Sequence, residues 1–266
     1  MSSTESASSP GSGGGGHGRL GLPKSVVACL FDLDGVLTQT ATIHATAWKQ
    51  TFDAFLAEYG KQNGKTYEPF DEVRDYEVYV DGKPRSDGVR SFLTARGIEL
   101  PEGKPDDPPS AQTIQGVGTA KNDAFNQVLE TRGLEPFEGS VRYVHAVREA
   151  GLRTAVVTSS ANCDAVLRAA GLDGLFDTTV DGNDLTKMHL LGKPAPDTYL
   201  AAARALEIGA QDAAVFEDAL AGVSAGRAGN FGWVVGVDRL NQADALREHG
   251  ADIVVEDLGD LLGQEA

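Results

Sequence analysis

The sequence predicts an α/β fold: a parallel sheet covered by helices on both faces and interrupted by a mostly helical insert. Three observations predict it. Short apolar runs at 26–30, 154–158, 178–180, 213–218, 233–237 and 252–255 have the length of buried strands. Stretches with helical spacing separate the later runs, and that alternation favours a parallel sheet with two covered faces. Between about 40 and 136 the alternation stops, and polar, helical and loop-like stretches take its place.

The elements follow in order. Residues 1–21, rich in Ser and Gly and including Gly13-Gly-Gly-Gly16, lack the apolar stretch of a secretory signal and read as a disordered tail. After the first strand, Ile43, Ala47, Phe52, Phe55 and Leu56 give 41–57 helical patterning. Residues 58–82 are polar, yet they hold Tyr59, Tyr67, Phe70, Tyr76 and Tyr79, too many aromatics for a linker. Helices are expected at 86–96 and about 119–132, with a proline-rich loop at 101–109 between them. Further helices are expected at about 139–150, 162–170, 196–206, 219–228 and 241–248. The divisions are therefore a tail over 1–21, a core over 22–39 and 137–266, and an insert over 40–136.

Composition narrows the function classes. The 266 residues are 41% hydrophobic and 23% charged, which suits a globular protein with a sizeable core. Against 39 acidic residues stand 23 lysines and arginines, a net charge of −16 that opposes binding to nucleic acid or an anionic membrane. No apolar run approaches the length of a membrane span. The two cysteines, Cys29 and Cys163, permit one disulfide by parity, but such sparse usage favours a reduced, cytoplasmic protein.

Four short segments carry the chemistry. Phe31-Asp-Leu-Asp-Gly-Val-Leu-Thr38 follows the first strand, so Asp32 and Asp34 project to one side and Gly35 lets the chain turn. Two carboxylates this close call for a cation, and oxygen ligands favour Mg²⁺; two acids at a strand end also describe a solvated turn. Thr158-Ser-Ser-Ala-Asn162 ends a strand and starts a helix. Its hydroxyls and amides suit phosphate oxygens, or Ser160 simply caps the helix. Gly192-Lys-Pro-Ala-Pro-Asp197 aims Lys193 from a restricted backbone, although a lysine before a helix is often only a solvated charge. In Phe216-Glu-Asp-Ala219, Glu217 and Asp218 suit a metal, or Asp218 caps the next helix and Glu217 lies exposed. Sites in such folds lie outside the carboxyl ends of strands, where Asp32, Thr158 and Asp218 all fall.

In this order and combination the four segments resemble the motifs of the haloacid dehalogenase superfamily, from residue 31 to about 227. The resemblance implies a Rossmann-like core with an inserted helical cap. It implies that Asp32 is a nucleophile that becomes phosphorylated and that Asp34 is the general acid/base, its backbone carbonyl also on Mg²⁺. Thr158 and Lys193 would bind the transferring phosphoryl group, with Ser159, Ser160 and Asn162 beside it. Asp32, Asp34, Glu217 and Asp218 would serve the metal, Asp218 as the more direct ligand.

The insert narrows the resemblance to the beta-phosphoglucomutase-like branch. Thr40, His44 and Trp48 fall on one helix face and resemble that branch's hinge threonine, histidine and tryptophan. Gly82-Lys-Pro-Arg-Ser-Asp87 resembles the cap segment whose arginine grips the distal phosphate, which would be Arg85 here. Lys121 and Asn122 resemble the cap pair that contacts the sugar phosphate. Packing for His44 and solvated charges for Arg85 and Lys121 are the plain alternatives. Gln39 stands where an aspartate is common, and the segments 58–80 and 98–112 make the insert longer than a compact cap. The implied activity is a Mg²⁺-dependent phosphohexomutase acting on a small sugar phosphate, interconverting beta-glucose 1-phosphate and glucose 6-phosphate through a hexose bisphosphate. A sugar-phosphate phosphatase would share Asp32, Asp34, Lys193 and Mg²⁺. A catalytically silent sugar-phosphate sensor would be expected to lack Asp32 or Asp34, and both are present.

Overall fold

The computed structural model describes residues 19–264. A six-stranded, all-parallel sheet runs in the order β3-β2-β1-β4-β5-β6: β1 is Ala28–Phe31, β2 Arg153–Val157, β3 Thr178–Val180, β4 Ala213–Glu217, β5 Trp233–Val237 and β6 Ile253–Val255. β1 lies between β2 and β4, with Phe31 level with Val156 on one side and Phe216 on the other. The chain changes direction of travel across the sheet between β1 and β4, and a crevice opens there at the strand ends.

Among the described residues nine α-helices complete the fold: α1 Ala41–Asn63, α2 Arg85–Ala95, α3 Ile114–Arg132, α4 Glu138–Glu149, α5 Cys163–Ala169, α6 Gly182–Met188, α7 Asp197–Ala205, α8 Leu220–Ala228 and α9 Ala243–Glu248. Alternate sheet residues face opposite sides. Cys29 and Phe31 pack with Tyr143, Val144 and Val147 of α4, while Ala28 and Leu30 pack with Tyr199 and Ala202 of α7. Phe31 stacks on Phe216 with ring centroids 4.5 Å apart, tying the two central strands. Residues 1–18 of the expected tail lie outside the described residues. Leu20 is only 3% exposed in the core, and the Tyr143 hydroxyl donates to its carbonyl, so the packed chain starts earlier than residue 22. Among the described residues no helix is long and apolar enough to cross a membrane.

α1, α2 and α3 enclose a separate apolar cluster of Trp48, Phe52, Phe70, Phe92 and Val117. The aromatic excess of 58–82 belongs here. α1 runs on to Asn63, and the chain folds back so that Phe70 packs against Phe52 and Phe92. Residues Tyr76–Val80 form a π-helical turn instead of irregular chain. α3 begins at Ile114, five residues before the expected start, because the Thr113 hydroxyl accepts from the Gly116 N–H at 2.9 Å. α6 is an element that periodicity did not reveal; Asp181 and Asp184 form a reciprocal capping box at its start.

Two strands of chain join the helical layer to the sheet, and they pair with each other. The Gln39 N–H donates to the Glu135 carbonyl at 3.1 Å and the Phe137 N–H to that of Leu37 at 3.0 Å. The Gln39 side chain is exposed, so this junction uses its backbone and not the side chain that departs from the family pattern.

Candidate active site

A cleft of about 620 Å³ separates the helical layer from the carboxyl ends of β1, β2 and β4. The sheet register brings the sequence-distant segments together there. Asp32 follows β1, and its N–H donates to the Phe216 carbonyl at 2.9 Å, which sets it beside Glu217. Thr158 follows β2, and Lys193 reaches in from the loop before α7.

Lys193 is 4% exposed and touches both acids: its ammonium donates to Asp32 Oδ1 in a short contact and lies 2.5 Å from Glu217 Oε1. It is therefore a buried, doubly paired cation and not a solvated charge. Glu217 is fully buried; it also accepts from the Tyr199 hydroxyl at 2.8 Å and from the Ala219 N–H at 3.2 Å. Gly222 makes room for it, since a Cβ there would sit 1.9 Å from the carboxyl group. α8 is capped by Ala219 with no side-chain bond, so Asp218 is not spent as a helix cap. Gly35, at φ +84°, takes a conformation that disfavours side chains, and a Cβ on it would meet Asp218 Oδ2 at 1.8 Å. The Asp34–Gly35 turn and the Asp218 turn thus touch.

Asp34 faces the helical layer. Its Oδ1 accepts from the Thr40 hydroxyl in a short bond and lies 3.4 Å from His44 Nε2, while Thr158 Oγ1 lies 3.4 Å from Oδ2. Lys121 Nζ sits 2.7 Å from His44 Nδ1. With Lys121 protonated, its ammonium donates to Nδ1 and the ring proton is on Nε2, which faces Asp34 at 3.4 Å. Burial and the Lys121 charge hold His44 below its ordinary pKa, against the pull of Asp34. Burial alone would raise Asp34, but His44, Thr40 and Lys121 outweigh it and bring the carboxyl down to about 2. Burial also brings Lys121 down to about 7, against Asp34. Its ammonium lies over the rings of Trp48 at 5.1 Å and Phe125 at 4.9 Å.

The remaining expected residues line the same cleft in different ways. Arg85 starts α2 and has no hydrogen bond or ion pair among the described residues; it lies across Gly118, where a Cβ would be 3.4 Å from its Nε. Burial lowers its pKa, with Asp123 opposing. Ser159, Asn122 and Asn162 clasp the two layers: the Ser159 hydroxyl donates to the Gly82 carbonyl at 3.1 Å, and Asn162 Nδ2 donates to Asn122 Oδ1 at 2.9 Å. Ser160 organises its own loop, donating its N–H to Thr158 Oγ1 and accepting from the Asn162 N–H.

Two cleft residues escaped the sequence reading. Tyr76 opens the π-turn and Asp81 follows it. Burial raises the Tyr76 phenol, helped by Asp81 and Asp34. Burial, Glu217 and Asp34 push Asp81 up to about 7. The signal available was the aromatic excess together with an acid immediately before Gly82.

The carboxylates fit a hard divalent cation. Asp32, Glu217 and Asp218 each offer an oxygen within 4.8 Å of the others. Burial raises Asp218, and Asp81, Asp32 and Glu217 raise it further, so its ionised form calls for a cation beyond Lys193. Glu217 is engaged by Lys193, Tyr199 and Ala219, whereas the Asp218 carboxylate has no hydrogen bond among the described residues. An all-oxygen set of this kind suits Mg²⁺.

A family model of haloacid dehalogenase-like hydrolases matches residues 26–230. Over 246 residues the chain is 56% identical to a beta-phosphoglucomutase from Mycobacterium tuberculosis, covering 91% of this chain and 94% of that one. It is 31% identical to a beta-phosphoglucomutase from Bacillus subtilis, over 88% and 91% of the two chains. A crystal structure of a beta-phosphoglucomutase from Clostridium difficile superposes with a TM-score of 0.69 at 23% identity, covering 89% of this chain and 93% of that one, a likeness of fold.

Proposed function

The chain belongs to the haloacid dehalogenase superfamily, in its beta-phosphoglucomutase-like family, and from that premise we propose that it is a Mg²⁺-dependent mutase interconverting beta-glucose 1-phosphate and glucose 6-phosphate. Residues 40–136 act as the cap and 22–39 with 137–266 as the core, and the sugar phosphate binds between them. Asp32, the Asp34 carbonyl and Asp218 would hold Mg²⁺, with Glu217 behind them. Bound there, the ion would offset charge on the phosphoryl group and the clustered acids.

Phosphorylated Asp32 gives its phosphoryl group to the free sugar hydroxyl: the new oxygen–phosphorus bond forms as the bond to Asp32 breaks. The hydroxyl proton passes to Asp34, which is ionised and so ready to take it. The bisphosphate turns over; Asp32 attacks the other phosphorus, and Asp34 returns the proton to the departing sugar oxygen. Lys193 and Thr158 steady the transferring group, Ser159, Ser160 and Asn162 shape its loop, and catalysis is largely positioning and charge compensation. Thr40 and His44 orient Asp34 from the hinge side, and Lys121, Asn122 and Trp48 bound the sugar. The free thiols of Cys29 and Cys163 suit a cytoplasmic setting.

The observation that carries the mutase reading is Arg85, a partly buried guanidinium in the cleft with no protein acid paired to it. A mutase must hold a second phosphate, and an arginine holds one bidentately. Arg85→Ala is expected to cost on the order of 2–3 kcal/mol of transition-state stabilisation for the sugar phosphate. Hydrolysis of a small aryl phosphate, which carries no second phosphate, should change little. Equal loss of both activities would assign Arg85 to the reacting group or to structure, and the mutase reading would lose its support.

A further inference from the structure

The loop between β5 and α9 belongs to none of the motifs, yet it grips both catalytic turns. Arg239 Nε donates to the Gly35 carbonyl at 2.8 Å, and Gln242 Nε2 donates to the Asp218 carbonyl at 3.2 Å. Asp238 shapes the loop by accepting from the Leu240 and Gln242 N–H groups at 3.3 and 2.8 Å. Arg239 is anchored twice more: Nη1 donates to the Glu256 carbonyl at 2.7 Å, and the guanidinium stacks 3.6 Å above the Phe137 ring, beside the cap junction.

We propose that this loop is a clasp that fixes the two catalytic turns relative to each other, with Arg239 a positioning residue for the nucleophile turn. The inference rests on Asp32 and Asp34 being the reacting carboxylates. The Asp34–Gly35 turn and the Asp218 turn press together at Gly35, where a Cβ would sit 1.8 Å from Asp218 Oδ2, so their relative placement has little slack. Hydrogen bonds to the two carbonyls hold the turns from outside the cleft without occupying a carboxylate oxygen. Arg239 Nη2 is buried with no partner among the described residues, a cost that a residue kept only for stability would avoid. Small errors in the placement of a nucleophile weigh heavily on rate, so the clasp acts on turnover before it acts on binding.

The test measures kcat, KM and denaturation midpoint in the full chain with Mg²⁺, using beta-glucose 1-phosphate and para-nitrophenyl phosphate as substrates. Arg239→Met keeps an apolar stem over Phe137 and loses the donors; kcat should fall about tenfold or more on both substrates, with KM changed less than about threefold. Arg239→Lys should recover part of kcat, because an ammonium still donates to the Gly35 carbonyl. Phe137→Leu should lower the midpoint without that loss of kcat. Gln242→Leu, at a half-buried position of the loop, should lower kcat several-fold while leaving the fold intact, and decides the matter if Arg239→Met fails to fold. Retention of more than about half of wild-type kcat by Arg239→Met, or by Gln242→Leu, would overturn the clasp. So would an equal loss of kcat in Phe137→Leu. Wild type that hydrolyses the aryl phosphate but isomerises no sugar phosphate would remove the mutase reading, and the aryl-phosphate ratios would still decide for or against the clasp.

Discussion

Lys121 lies between two aromatic rings and an imidazole with 4% of its surface exposed, and that placement costs stability. Burial lowers it to about 7 against an ordinary value of 10.5. Between those values the unfolded chain binds the proton that the folded chain has released, so stability rises with pH across that window. Below about pH 7 both states are protonated and the full cost of the buried charge is present. Lys121→Met should therefore be more stable than wild type, with a larger gain at about pH 6 than at about pH 9, while turnover of the sugar phosphate collapses. Denaturant titrations at the two pH values check this; a gain that is equal at both would show that Lys121 keeps its charge in the folded protein across that range and that its pKa is not lowered. The sequence placed Asp32, Asp34, Lys193 and Lys121 at the cleft because residue type and motif order carry that information. It did not reveal that Lys121 reaches Asp34 through His44, since that chain of contacts joins α1, α3 and the nucleophile turn and exists only once they pack.

At the scale of elements, the strand ends were legible and the cap was less so. Buried parallel strands read as apolar runs, and all six observed strands match their expected runs to within two residues, the first shifted from 26–30 to Ala28–Phe31. α6 was hidden because its start is written in Asp181 and Asp184, acids with little apolar periodicity behind them. The π-turn was hidden because nothing in local spacing separates Tyr76–Val80 from a loop. Close approaches between elements were also invisible: Gly35 and Gly222 each give way to a carboxylate of the second turn or of β4. Gly35→Ala would add a Cβ 1.8 Å from Asp218 Oδ2 at φ +84°. The left-handed conformation alone costs on the order of 1–3 kcal/mol, and the clash displaces Asp218 besides. Loss of stability together with weakened Mg²⁺ binding by calorimetry is the expected outcome; unchanged Mg²⁺ affinity would show that Asp218 tolerates the shift and is no direct ligand.

On the scale of the whole molecule, the helical layer and the sheet layer share apolar packing at the hinge, where Ile43, Ala47, Phe125 and Val128 join Leu33, Val36 and Leu37, and face each other across a polar cleft elsewhere. The side-chain bonds Ser159 to Gly82 and Asn162 to Asn122 span it, and neutral bonds of this kind are worth only about 1 kcal/mol each. The proposed mutase cycle needs the cleft to open on this polar side, about the hinge where Gln39 pairs with Glu135 and Phe137 with Leu37. A net charge of −16 opposes anionic substrates, and Lys193 is already paired with Asp32 and Glu217, so a bound Mg²⁺ with Arg85 and Lys121 would have to make the cleft locally favourable. The central claim is that the phosphoryl group passes from Asp32 to sugar in preference to water. Phosphorus NMR of the protein with Mg²⁺, beta-glucose 1-phosphate and a trace of hexose bisphosphate tests it directly. The account predicts that glucose 6-phosphate grows in as substrate declines, with inorganic phosphate a minor product; inorganic phosphate accumulating in step with substrate loss, and no glucose 6-phosphate, would contradict it.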